Sequence, residues 1–436
     1  MTLSERVLAA SAGRDRVSDA VKALALAMVL VAHSVAWTKM PDGKITNTLE
    51  AAPKLYPITW ILQILPLFFL LAGSGLRSLN ANSSGTRYLA RVNRLLTPTA
   101  ILILITLMLS FALAPLNNKT VSDAAGLLPV QLTWFLGVYL CLVALAPVLK
   151  TVAASLPLMV VWLVAICVVD VMRIYVSETV GWLNLILVWG FFAIIGLRLE
   201  SVRQLSRPIL LGSLIGSIAA SVVAIWMGPY SPALISTTSV EGISNLAPPT
   251  IVLTFAGTAQ ICLLLLLWPS LERLMHKDKR WVPIAIFATR AMQLYLYHMV
   301  FLALGIALML QFGGTPTPLG IMWWAEHILV AAVAITAAWL MAPSFSKGST
   351  WIVETLSRLW PAGVVRLIAW IPRQWAQGLA LLGGLMLFIV SDSGIGEPLR
   401  IRYVLGVPEI PIVIVIVIFA IMTVASVGSR EIVHTS

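Results

Sequence analysis

The sequence predicts an all-α polytopic transmembrane helix bundle, on three observations. Of 436 residues, 59% are hydrophobic and only 11% charged, against the ~25% charged residues of an ordinary soluble domain, and the mean hydropathy is +0.95. Apolar stretches close to the ~20 residues a helix needs to cross a bilayer recur twelve times. Basic residues alternate in density between successive connecting segments, as the positive-inside rule requires.

Taken in order, the predicted spans cover 21–37, 58–76, 95–114, 129–149, 155–172, 181–199, 208–228, 249–269, 281–311, 321–341, 377–393 and 410–428. The first follows twenty polar residues, carries a histidine and lacks a small-residue cleavage site, so it is expected to stay as an uncleaved span. The eleventh, GLALLGGLMLFIVSDSG, is short and contains glycine. With the N-terminus inside, inner segments hold 21 of the 29 Lys and Arg residues and outer segments seven, which leaves Arg290 within a span. Both termini are therefore expected in the cytoplasm. The net charge of +11 reflects topology, and no nucleic-acid partner is expected. Cys141, Cys167 and Cys262 lie in apolar runs with neither a disulfide framework nor a metal-ligand spacing, and no metal is expected. No loop is long enough for a soluble domain, and no fixed-period repeat appears. Residues 343–376 interleave Trp351, Trp360, Trp370 and Trp375 with Arg358, Arg366 and Arg373. Two short helices broken at Pro361 are expected there, lying on the inner membrane surface as an anchor.

Ionisable groups in apolar spans are costly and mark function more often than they do in soluble proteins. Lys22 and His33 are eleven residues apart, almost three helical turns, so they share one face with a rise of roughly 16 Å between them. Alone, Lys22 reads as a snorkelling lysine and His33 equally as a packing residue or a catalyst; together they form a cation and a base on one surface. Arg91 and Arg94, one turn apart in YLARVNRLLTP, form a fork suited to phosphate oxygens. Arg77 and Arg87 read as loop charge. The ninth span carries Arg290, Tyr295, Tyr297 and His298 in FATRAMQLYLYHMVF. In one continuous helix Arg290 and His298 would face a similar direction; an aromatic packing cluster is the equal alternative.

The ordered set DAVKALALAMVLVAH, FFLLAGSGL, RVNRLLTP, TWFLGVYLCLVALAP and TRAMQLYLYHMVF resembles the acyltransferase-3 family of integral membrane acyltransferases, from about residue 14 to 341. Its first-span pattern, a basic residue and then His eleven positions on, matches Lys22 and His33, with lysine in place of the commoner arginine. Its Arg-x-x-Arg matches Arg91 and Arg94, its Trp-Phe pair matches Trp134 and Phe135, and its ninth-span Tyr-Leu-x-His matches Tyr295 and His298. The resemblance implies transfer of an acyl group, usually acetyl, from cytoplasmic acyl-coenzyme A to an extracytoplasmic carbohydrate or glycolipid. It also implies a ten-span core over 1–341, followed by the interfacial segment 342–376 and a two-helix extension over 377–436. A glutamate recurs in the tenth span of the family, which points to Glu326.

Coenzyme A presents phosphates at one end of an extended arm and a thioester at the other. Cations at the inner boundary, Lys22, Arg91 and Arg94, with His33 some distance outward, suit that shape. His33 is expected to act as general base on an acceptor hydroxyl, an acyl-histidine intermediate being the less favoured variant. Glu326, in preference to Asp170, is the expected carboxylate partner of the imidazole. Acetyl-CoA as acyl donor, an envelope glycan or glycolipid as acceptor and membrane lipid are the expected partners, in a plasma (inner) membrane location. Trehalose-type glycolipids, peptidoglycan sugars, surface polysaccharides and macrolide-like molecules all remain open as acceptors. A twelve-span secondary transporter is the rival class, although residues 1–218 do not echo 219–436 as its inverted repeats would. A catalytically silent relative acting as membrane partner or lipid carrier is the third.

Overall fold

The computed structural model describes residues 8–9, 13–40, 45–79, 83–113, 125–235, 241–312, 314, 316–404 and 407–435 and is 80% helical. Arg6, Lys44 and Lys119, which enter the charge asymmetry, lie outside the described residues. The principal helices in chain order are α1 (Arg16–Ser34), α2 (Tyr56–Leu62), α3 (Leu65–Gly75), α4 (Gly85–Leu96), α5 (Ala100–Leu113), α6 (Thr133–Ala144), α7 (Ala146–Ala154), α8 (Leu156–Tyr175) and α9 (Asn184–Leu197). They continue as α10 (Arg207–Met227), α11 (Ile251–Met275), α12 (Asp278–Thr289), α13 (Ala291–Phe312), α14 (Ile321–Ser357), α15 (Ala362–Ala369), α16 (Arg373–Ser393) and α17 (Pro411–Thr435). Beside these helices and some shorter turns stand two short antiparallel pairs: β1 (Trp37–Lys39) with β2 (Ile45–Asn47), and β3 (Arg402–Val404) with β4 (Val407–Glu409).

Among the described residues eleven helices are long and apolar enough to cross a membrane, and α6 with α7 forms a bent pair that makes a twelfth if it is one span. This is the all-α polytopic architecture expected. Two local expectations are overturned. The predicted ninth span, 281–311, is not one helix: α12 ends where the Arg290 N–H bonds the Phe287 carbonyl at 3.1 Å, a tightened 3₁₀-type closure, and α13 starts at Ala291. The predicted pair of short helices in 343–376 is also corrected. α14 continues through Pro343 to Ser357, and the one short helix, α15, begins after Pro361.

The chain divides into two compact units. The first comprises Met1–Arg77, Val148–Ala291 and Met309–Ala331. Within it α3 and α9 approach closely because Gly73 and Gly196 have no side chain. A Cβ at Gly196 would overlap the Leu70 carbonyl, and one at Gly73 the Ala193 carbonyl. Phe69 stacks on Trp189 beside this crossing, ring centroids 4.7 Å apart. The loop between α10 and α11 buries Ser231, Ala233 and Leu234, and side chains satisfy its irregular backbone. Trp60 Nε1 donates to the Pro232 carbonyl (3.0 Å), Gln63 Nε2 to that of Leu234 (2.8 Å), and Asn245 Nδ2 to those of Ser231 (2.6 Å) and Ala233 (3.0 Å). Buried backbone demands such partners.

The second unit comprises Ser78–Pro147, Met292–Leu308 and Ala332–Ser436. Here α16 packs along α6, and α4 packs against α16 and α17. Gly384 makes the first contact possible, since a Cβ there would overlap the Gly137 carbonyl and Cys141 Sγ. The glycines that shorten the apolar signal of the eleventh span are thus what lets it pack. α4 is amphipathic and buries Tyr88, Leu89, Val92, Leu95 and Leu96, while Asn93 Nδ2 donates to Ser429 Oγ on α17 at 3.0 Å.

Candidate functional site

α1 begins at Asp15, whose carboxylate accepts from the N–H groups of Val17 (3.0 Å) and Ser18 (3.1 Å), an N-cap that satisfies otherwise orphaned donors. One turn on, Asp19 is nearly buried, its side chain 7% exposed, and pairs with Arg14 Nη2 at 2.7 Å and Lys22 Nζ at 3.5 Å. The Lys22 side chain is 46% exposed. His33 lies in the last turn of the same unbroken helix, half-buried. Its Nδ1 is 2.8 Å from the Val29 carbonyl. A carbonyl only accepts, so Nδ1 carries the hydrogen and the neutral ring keeps its basic lone pair on Nε2.

The N-terminal end of α1 opens on a cavity of about 360 Å³ whose walls include Arg14, Asp19, Lys22, Arg77, Glu200 and Arg203. The close crossing of α3 and α9 brings their C-terminal ends there. Arg77, just past α3, donates through Nε to the Leu197 carbonyl at the end of α9 (3.0 Å) and pairs with Glu200. Lys150 Nζ donates to the Arg77 carbonyl at 2.9 Å.

Glu326 sits half-buried in the second turn of α14. Its neighbours anchor that turn to the strand that follows His33. Trp323 Nε1 donates to Thr38 Oγ1 (2.8 Å), and His327 places Nδ1 2.8 Å from the Trp323 carbonyl and Nε2 2.9 Å from that of Trp37. The His327 and Trp323 rings stack at 3.8 Å.

In the second unit Arg91 and Arg94 lie one turn apart on α4. Arg91 is half-buried and donates to Ser78 Oγ, while Arg94 is exposed. Trp134, Tyr295 and His298 are brought together through Phe135. Trp134 meets Phe135 edge-on at 6.2 Å, Phe135 meets Tyr295 at 5.5 Å, and Tyr295 meets His298 at 6.4 Å. The Tyr295 hydroxyl donates to the Leu132 carbonyl at 2.8 Å, and His298 Nδ1 lies 2.9 Å from that of Leu294. Arg290 belongs to the first unit, at the break between α12 and α13.

Asp170 belongs to a different construction. It is 1% exposed, and it accepts from Asn184 Nδ2 (2.8 Å), the Ile251 N–H (2.7 Å) and the Tyr230 hydroxyl (3.2 Å). Arg173, one turn further, donates to the carbonyls of Ser244 and Pro248, both at 3.2 Å. The pair pins the loop between α10 and α11. Burial first, and then the Asp170 carboxylate, raises the Tyr230 phenol above its ordinary range.

Of the charged cavity, sequence reasoning singled out Lys22 and missed Arg14, Asp19, Arg77, Glu200 and Arg203. Arg77 reads as ordinary positive-inside charge, Arg203 as one of several inner-loop arginines, and Asp19 as a polar residue of the first turn. The available signal was the Asp19–Lys22 spacing of three, which places both on one helix surface.

No curated protein and no solved structure matches the chain. A family model described as an acyltransferase domain matches residues 16–343, which takes in α1, α4, α6 and α13 and every site residue expected from the sequence, Arg14 and Asp15 of the cavity lying just before it. The chain belongs to the acyltransferase-3 family of integral membrane acyltransferases.

Proposed function

We propose that this membrane acyltransferase moves a short acyl group, acetyl foremost, from cytoplasmic acyl-coenzyme A to a hydroxyl of an envelope glycan or glycolipid on the far side of the plasma membrane. The observation that carries the reading is α1 itself. One unbroken helix holds Lys22 in a charged cavity near its start and, about 16 Å along its axis, an imidazole whose Nδ1 is committed to the Val29 carbonyl. In the first unit Lys22 is assigned to the donor's phosphates as a point charge, and in the second Arg91 and Arg94 are each assigned the part of a phosphate fork. Trp134, Tyr295 and His298 shape an aromatic wall, and Arg290 is left a structural role.

In this mechanism His33 Nε2 takes the proton of the acceptor hydroxyl as its oxygen attacks the thioester carbonyl. The carbon–sulfur bond then breaks, and the leaving thiolate recovers the proton from the imidazolium. Because the Val29 carbonyl already fixes the tautomer, the role left to Glu326 is to balance the imidazolium charge.

The test is mass spectrometry of envelope glycans and glycolipids from cells carrying the wild type or His33→Ala. Loss of one acyl group from a defined glycan in the variant supports the reading, and the increment names the acyl chain. Identical envelopes, with both proteins inserted at equal levels, would overturn it.

A further inference from the structure

We propose that the cavity at the start of α1 is the phosphate subsite of the donor, with Arg14, Arg77 and Arg203 joining Lys22. The inference rests on the acyl-coenzyme A reading above and adds three residues that lie outside the family's motifs. Four cations drawn from three separated stretches of chain, with the carboxylates of Asp15, Asp19 and Glu200 among them, line a volume of about 360 Å³, near the lower end of the ~300–1,000 Å³ usual for ligand pockets. That size suits the phosphate-bearing end of the coenzyme and leaves its pantetheine arm to run along α1.

Each cation is already oriented. Asp19 holds Arg14 and Lys22, Glu200 and the Leu197 carbonyl hold Arg77, and Glu272 with the Trp268 ring, 4.4 Å away, holds Arg203. Glu200 is 79% exposed, and ion pairs so open to solvent are weak. A phosphate, carrying more charge and accepting bidentate guanidinium bonds, displaces such a carboxylate at little loss. The hydroxyls of Ser18 and Ser74, also in the wall, donate to Asp15 Oδ2 (2.7 Å) and the Leu71 carbonyl (2.8 Å). The positive end of the α1 dipole points the same way.

Two phosphate sources fit this chemistry, a nucleotide-bearing acyl donor and an anionic lipid headgroup, and we commit to the donor. The experiment measures acetyl-CoA binding to the full-length protein in nanodiscs for wild type, Arg14→Gln, Arg203→Gln, Arg14→Lys and Lys22→Gln. It adds the turnover preference for acetyl-CoA over phosphate-free acetyl-pantetheine. Each Gln variant is expected to weaken acetyl-CoA binding by about tenfold and to lower that preference by a similar factor, with Arg14→Lys recovering part of the loss. Dependence on salt should fall in the same variants. If Lys22→Gln weakens acetyl-CoA binding while Arg14→Gln and Arg203→Gln do not, the subsite is wrong and the donor reading survives. If the wild type binds no acetyl-CoA, both fall. If the Gln variants leave acetyl-CoA untouched but abolish thermal stabilisation by phosphatidylglycerol over phosphatidylcholine, the cavity belongs to a lipid headgroup and the proposal is overturned.

Discussion

Two places in the first unit put ionisable side chains into apolar helices, and they use them in opposite ways. At Asp170 the carboxylate is sealed and fully engaged, with donors from α8's neighbour Asn184, from Tyr230 and from the first turn of α11. Along α1, Lys22 is half exposed and His33 is half-buried, and each is steadied by a partner on its own helix, Asp19 or Val29. An intramembrane charge saturated by distant parts of the chain is a clamp. One that stays open to solvent, as Lys22 does, can meet a ligand. Burial, more than the residue type, separates the two.

The contrast can be broken by substitution. His33→Ala should lower turnover by about 10²- to 10⁴-fold, the usual contribution of a positioned base, with an unchanged melting temperature; initial rates and thermal unfolding on the same preparation check both halves. Asp170→Ala should do the reverse. Leaving the donors of Asn184, Tyr230 and Ile251 unmatched beside Arg173 should cost about 3–5 kcal/mol of stability, read as loss of folded protein on heating. Should Asp170→Ala instead give a stable, inactive protein, the clamp would have to be redrawn as part of the chemistry. Gly196→Val should separate α3 from α9 and displace Arg77 and Glu200 together, costing about 1–3 kcal/mol through overpacking and weakening donor binding; a thermal shift without any change in KM would disconnect the crossing from the cavity. The smallest effect is expected for Tyr295→Phe, which removes the bond to the Leu132 carbonyl for about 1 kcal/mol, measurable by chemical denaturation.

Much of the architecture was legible because a bilayer imposes one long apolar word per helix, and among the described residues eleven helices with one bent pair answer to the twelve predicted stretches. The errors fall where hydropathy carries no information about helix continuity. Arg290 sits in a run apolar enough to read as unbroken, yet the chain closes α12 there. The tenth predicted span ends at 341, yet α14 runs on through Pro343 to Ser357.

The site divides in the same way. Lys22 and His33 were legible because both lie on one helix, where a spacing of eleven fixes their relation. Arg77 and Arg203 were not, since positive-inside charge looks the same in sequence whether it faces water or lines a cavity. Asp170 was taken for a second candidate partner of the imidazole because its own partners lie at 184, 230 and 251, beyond any local pattern.

The most direct test of the account is acyl transfer by the purified full-length protein from labelled acetyl-CoA to an envelope glycan extract, for wild type and His33→Ala, with donor binding measured in parallel. The account predicts labelled glycan and free coenzyme A thiol in equal amounts from the wild type, and from His33→Ala undiminished acetyl-CoA binding with transfer reduced at least about a hundredfold. Transfer by His33→Ala at the wild-type rate would contradict it.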